Sequence, residues 1–188
     1  MSSRTLSQPT ETGVFYSLSD LAGLGRRSLV LVIDLGIVFA VCGLVVTLVP
    51  DVGIPQRLAN VVAFAIAWAY LAGLKAGPAG TLGYRLARVQ LVTIEGKPAG
   101  LGRSTCRFLF LFGGPLNFVF DLLWLTTDAN RQTLRDKLSG TYVVRRGAVP
   151  AGNGVIRYST YFIATMSFLL AEVSRKNEGH PSGIDPLD

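Results

Sequence analysis

The sequence predicts an all-α integral membrane protein with about three transmembrane segments and a small cytoplasmic β-hairpin. Three observations carry that expectation. Of the 188 residues, 49% are apolar and 16% charged, with a mean hydropathy of +0.42, a balance that suits a bilayer better than a water-soluble core. The apolar residues are gathered into long runs, Ser28 to Val49, Leu58 to Leu74 and Phe108 to Leu125. The basic residues behind the net charge of +6 mostly flank those runs, as topology signals and anionic-lipid contacts do, which argues against a nucleic-acid partner.

Residues 1–20 carry Ser, Thr, Gln and Pro without periodicity and read as a flexible polar leader. The run from Ser28 to Val49 is long enough to cross about 30 Å of hydrocarbon at about 1.5 Å per residue. Asp34 lies inside it, where a carboxylate costs about 2.5 to 3.5 kcal/mol unless water, a cation or a proton compensates it. Arg27 shares its helix face, offset by about 20° and about 10 Å of rise, too far for direct contact. One reading makes Asp34 a functional charge. The other makes Arg26 and Arg27 topology anchors and the aspartate a helix-joining group.

The second run is rich in small residues, including Ala63, Ala65, Ala67, Ala69, Ala72 and Gly73, which permits close helix packing. Lys75 at its end can snorkel to the interface. From Lys75 to Arg107 the loop holds Lys75, Arg85, Arg88, Lys97, Arg103 and Arg107 against Glu95 alone. The positive-inside rule puts that loop, and with it the amino terminus, in the cytoplasm. Arg88 to Ile94 is β-branched with partial alternation and reads as a strand, with a turn at Glu95-Gly96-Lys97-Pro98. Thr141 to Arg146 is a candidate pairing partner.

The third run, 108–125, is broken by Gly113-Gly114-Pro115 and carries Asn117 and Asp121, both candidates for ion contact. A single crossing would put the basic segment after it outside, against the charge bias; two half-helices would return it to the cytoplasm. Residues 155–173 are long enough for a fourth crossing, but Arg157, Ser159, Thr160 and Thr165 favour an interfacial or tilted helix. The expected organisation is therefore a membrane domain over 21–146, an amphipathic or membrane helix over 147–173 and a flexible tail over 174–188.

Hydrolytic chemistry has no residues to work with. The single histidine, His180, lies in the polar tail, and no Gly-x-Ser-x-Gly or phosphate loop occurs. Cys42 and Cys106 lack metal-ligand spacing. No enzyme activity, cofactor or metal is expected.

Three separated patches, taken together, resemble the RDD family of small bacterial membrane proteins, named for an arginine and two aspartates. They are Arg26-Arg27 through Asp34; Thr81-Leu82-Gly83-Tyr84-Arg85 with Val89 to Val92, Glu95 to Pro98 and Arg107; and Gln132 through Thr141. The resemblance covers about residues 20–146. It implies that Arg27, Asp34 and Asp136 are the naming residues, in a helical membrane protein with a suggested role in transport. The family pattern often has histidine where Arg135 stands, so no proton relay is carried over to that position.

The functional charged site expected on these grounds is Arg27, Asp34, Arg107 and Asp136, with Arg27 or Arg107 compensating Asp34. Asp136 would act at the cytoplasmic mouth as an acceptor that orders the basic loop. The expected function is movement of an ion or small solute across the cell membrane, by a homo-oligomer or with a membrane-protein partner; an accessory or assembly subunit is the alternative. Anionic lipid is the expected partner of the cytoplasmic face, through Arg85, Arg88 and Arg107.

Overall fold

In the computed structural model the described residues are 12–113, 121, 124–126, 128, 130–163 and 166–175. Among these residues two helices are long and apolar enough to cross a membrane, α1 (Leu24–Asp51) and α2 (Gln56–Ala76). Each exposes most of its apolar surface: Val32, Phe39 and Leu44 on α1 and Leu58 and Val61 on α2 are exposed. A core helix of a soluble protein would bury those side chains, so this profile is that of helices solvated by acyl chains. The two pack through small residues, with Ala59 and Ala63 buried and Cys42 Sγ donating to the carbonyl of Ala63 at 3.2 Å. A π-helical turn, Ala69–Gly73, interrupts α2 near its end and brings Tyr70, Leu71 and Ala72 onto the inner side.

The polar end of the molecule is not all helical. Short helices α3 (Leu82–Leu86), α4 (Leu101–Leu109) and α5 (Leu134–Ser139) alternate with strands β2 (Val89–Thr93) and β3 (Thr141–Arg145). β2 and β3 pair antiparallel with Leu91 opposite Val143, the pairing expected from their sequences. Their two faces are both buried, as period-two alternation requires. Val89, Leu91 and Val143 pack with Val30 and Tyr84 beside the start of α1, while Val92, Tyr142 and Val144 pack with Tyr16 and Val173 on the other side.

That other side is a second sheet, and it corrects two expectations. β4 (Gly152–Ile163) and β5 (Met166–Arg175) form an antiparallel hairpin, and β1 (Thr12–Phe15) pairs with β4. The segment expected as a helix over 147–173, with a fourth crossing in view, is therefore β-structure, and the protein is mixed α and β rather than all-α. Tyr158, Phe162, Val155 and Ile156 are β-formers, and Ile163 pairs with Met166 across two residues. Part of the expected leader is likewise ordered: β1 joins the sheet, Tyr16 is buried, and Leu21 bridges Val144. Half of the Gly/Pro-broken third run, including Asn117, lies outside the described residues, as do residues 1–11 and 176–188 of the expected leader and tail.

Candidate functional site

Two buried carboxylates sit where α1 meets the polar layer. Asp34, 1% exposed, lies on the inner face of α1, and the segment linking α2 to α3 folds over it. Its Oδ1 accepts hydrogen bonds from the Gly83 amide at 2.9 Å and from Tyr70 Oη at 3.2 Å. Its Oδ2 accepts from Thr81 Oγ1 at 2.7 Å and faces Lys75 Nζ at 3.3 Å. Four donors occupy the roughly four lone-pair positions of a carboxylate. Thr81 also caps α3, accepting from the Tyr84 amide, so one hydroxyl links the helix start to the carboxylate. Gly83 is required by contact: a Cβ there would lie 2.6 Å from Asp34 Oδ1 and 2.9 Å from the Val30 carbonyl oxygen.

The compensating cation is thus Lys75, not Arg27 or Arg107 as expected. Arg27 points toward the N-terminal end of α1, as helical side chains do, and away from Asp34. Its Nε donates to the Ala22 carbonyl at 2.9 Å, its Nη2 to the Arg131 carbonyl at 2.9 Å, and its Nη1 to Asp136 Oδ2 at 2.5 Å. Arg107, from α4, reaches the other oxygen of the same carboxylate and also donates to Thr141 Oγ1. Asp136 is fully buried and holds a second role. Thr133 and Asp136 form a reciprocal capping box at the start of α5, and Gly140, at φ +59°, closes the helix in the left-handed conformation that favours glycine.

Three further acids among the described residues, Asp121, Asp128 and Glu172, also meet cations. Asp121, a candidate ion contact, meets Arg135 Nε at 2.7 Å and the Arg135 amide at 3.2 Å. Lys137 meets Asp128 at 2.5 Å and Glu172 of β5 at 3.6 Å. Of the expected site, Arg27, Arg107 and Asp136 are brought together; Asp34 stands apart with partners that were not expected. Lys75, Tyr70, Thr81 and Gly83 had one available signal, the Thr81-x-Gly83 start of α3, which offers a hydroxyl and a free amide together. The Thr133-x-x-Asp136 spacing was a second, since it is the capping-box pattern.

Between the clusters lies a narrow cleft of about 40 Å³. Arg26, Arg27, Lys75, Arg107 and Arg135 line it, with Asp34 at one end and Tyr84 in the wall. Lys75 Nζ stands over the Tyr84 ring, 5.1 Å from its centroid. Burial alone would raise the pKa of Tyr84, but Arg107, Lys75, Arg135 and Arg27 reverse that and hold it below the usual tyrosine range. Burial pulls Arg107 down to about 10, still protonated at neutral pH. The cleft is therefore a site of strong positive potential with one apolar wall. Leu31, Leu35, Leu71 and Phe108 form that wall.

The family model described as RDD family matches residues 21–140, which contain the charged residues of both clusters and all of the cleft lining but Val143. No curated protein and no solved structure matches the chain.

Proposed function

This chain belongs to the RDD family of membrane proteins, and from that premise we propose that it moves an ion or small solute across the cell membrane, with Asp34 and Lys75 as an exchanging pair. The observation that carries this reading is the kind of cation beside Asp34. An ammonium can lose its proton when it is desolvated, whereas a guanidinium keeps its charge. A cation reaching Asp34 would take the place of Lys75 on Oδ2. The displaced ammonium, stripped of its carboxylate, would release one proton to water and become a neutral amine. One positive charge enters and one leaves, so the buried site stays neutral throughout, and Tyr70, Thr81 and the Gly83 amide keep the carboxylate in place.

The Arg27–Asp136–Arg107 cluster has the opposite character and serves as the frame that holds α1, α4 and α5 around the cleft. The basic loop between α2 and α4 favours a cytoplasmic polar layer and amino terminus in a multi-pass protein. Two spanning helices among the described residues cannot enclose a pathway, so transport on this reading takes place in a homo-oligomer or with a membrane partner. The exposed apolar faces of α1 and α2 leave room for either, and they favour the second reading, an accessory or assembly subunit, if the partner is a different protein.

The test is flux in proteoliposomes with a panel of monovalent cations. Asp34→Asn is expected to insert normally and to carry no flux. Unchanged flux in that variant rejects the transport reading. A stoichiometric foreign subunit copurifying in mild detergent, with no flux by the isolated chain, selects the accessory role.

A further inference from the structure

The cleft has more positive charge than its carboxylates can match. Five cations line it: Arg26, Arg27, Lys75, Arg107 and Arg135. The carboxylates paired with them are three: Asp136 shared by Arg27 and Arg107, Asp34 with Lys75, and Asp121 with Arg135. Asp128, nearby, is matched by Lys137. Two positive charges are left over in a cavity with a low-dielectric wall, a combination that costs free energy unless an anion enters. Arg26 carries one of the two, with no ion pair among the described residues.

Charge and apolarity are also ordered along α1. Arg26 and Arg27 stand at the mouth, Val30 and Leu31 one turn deeper, and Asp34 and Leu35 deeper again. Asp34 does not repel an anion at the mouth, because it lies about 12 Å of helix rise from Arg26 and its lone pairs face their own donors. We propose that the mouth of this cleft binds a phosphate-class oxyanion, gripped by Arg26 and the adjoining guanidinium groups. Planar guanidinium groups suit that geometry better than an ammonium does. The low pKa of the Tyr84 phenol reports the same field. A phospholipid headgroup, with its acyl chain along Leu31 and Leu35, and a free phosphate ion share this chemistry. The site is independent of flux, since binding needs no exchange at Asp34.

Both sources are tested on the full chain. In one arm, native mass spectrometry reads how much phosphatidylglycerol the protein retains from nanodiscs of mixed phosphatidylcholine and phosphatidylglycerol. In the other, calorimetry reads inorganic phosphate binding in uncharged detergent. Arg26→Gln, which breaks no ion pair among the described residues, is expected to weaken the arm that binds by about fivefold, the effect of one arginine at an anionic surface. Arg145→Gln, which removes an exposed arginine outside the cleft, is expected to leave it unchanged. Loss confined to the lipid arm identifies a headgroup site; loss confined to the phosphate arm identifies a free-ion site; loss in both leaves the oxyanion common to them. Binding in neither arm, no effect of Arg26→Gln, or an equal loss with Arg145→Gln overturns the proposal, the last because it would mean diffuse surface attraction.

Discussion

Asp34 and Asp136 are both almost wholly buried, both acidic, and both surrounded by donors, yet they are built from different cations. Asp136 is held between two guanidinium groups from α1 and α4 and caps its own helix. Asp34 is held by one ammonium, two hydroxyls and one backbone amide. The first set cannot change its charge at any working pH, so it ties three helices together permanently. The second contains one partner that can give up a proton, and in the reading advanced above it is the part that changes state.

The difference is largest in stability. Asp136→Asn strands two buried guanidinium groups, and breaking a buried pair by removing one partner costs about 3 to 5 kcal/mol. Thermal melting in detergent should show a severe loss for Asp136→Asn and a much smaller one for Asp34→Asn, whose single ammonium can shed its charge. Equal losses would erase the distinction between the two sites. Gly83→Ala comes next. Its added methyl collides with Asp34 Oδ1 and the Val30 carbonyl, an overpacking worth about 1 to 3 kcal/mol, and should lower flux together with melting temperature while leaving the Asp136 cluster intact.

A smaller effect should appear in pH dependence. The depressed pKa of Tyr84 means that its ionised form is favoured by folding. Its contribution to stability is fully present above the ordinary tyrosine value of about 10 and is lost as pH falls through the depressed value. Phenolate absorbance should reveal one component titrating below the others in the wild type and missing in Tyr84→Phe. The smallest expected effect is Glu95→Gln. Its partners Arg103 and Lys97 are solvent-exposed or nearly so, and surface pairs of this kind contribute about 0 to 1 kcal/mol. A melting shift as large as that of Gly83→Ala would show that the outer ion pairs matter as much as the inner ones.

What could be read from the sequence follows from how local each signal is. The spans α1 and α2 declare themselves by uninterrupted apolar length, and the pairing of β2 with β3 by the β-branched character of both segments. The β4–β5 hairpin did not, because no Gly, Pro or Asn punctuates the run between Ile163 and Met166, and length then argued for one helix where there are two strands. β1 is only four residues long and acquires its identity from β4, far along the chain. The clusters divide in the same way. Arg27, Arg107 and Asp136, which meet in the fold, stand out in the sequence as charges next to apolar runs and as part of the RDD pattern. Lys75 was not legible as the partner of Asp34, since it sits at the end of a span where a snorkelling anchor is the ordinary role, and only the packing of α1 against α2 brings the two together.

Proton release on cation addition tests the Asp34–Lys75 account most directly. Purified wild-type protein in weakly buffered detergent, titrated with lithium, sodium and potassium salts, is expected to release one proton for each cation bound. Lys75→Arg should keep the fold and release none, since a guanidinium cannot give up its proton. Stoichiometric release that persists in Lys75→Arg, or cation binding by the wild type with no proton released, would contradict the exchange.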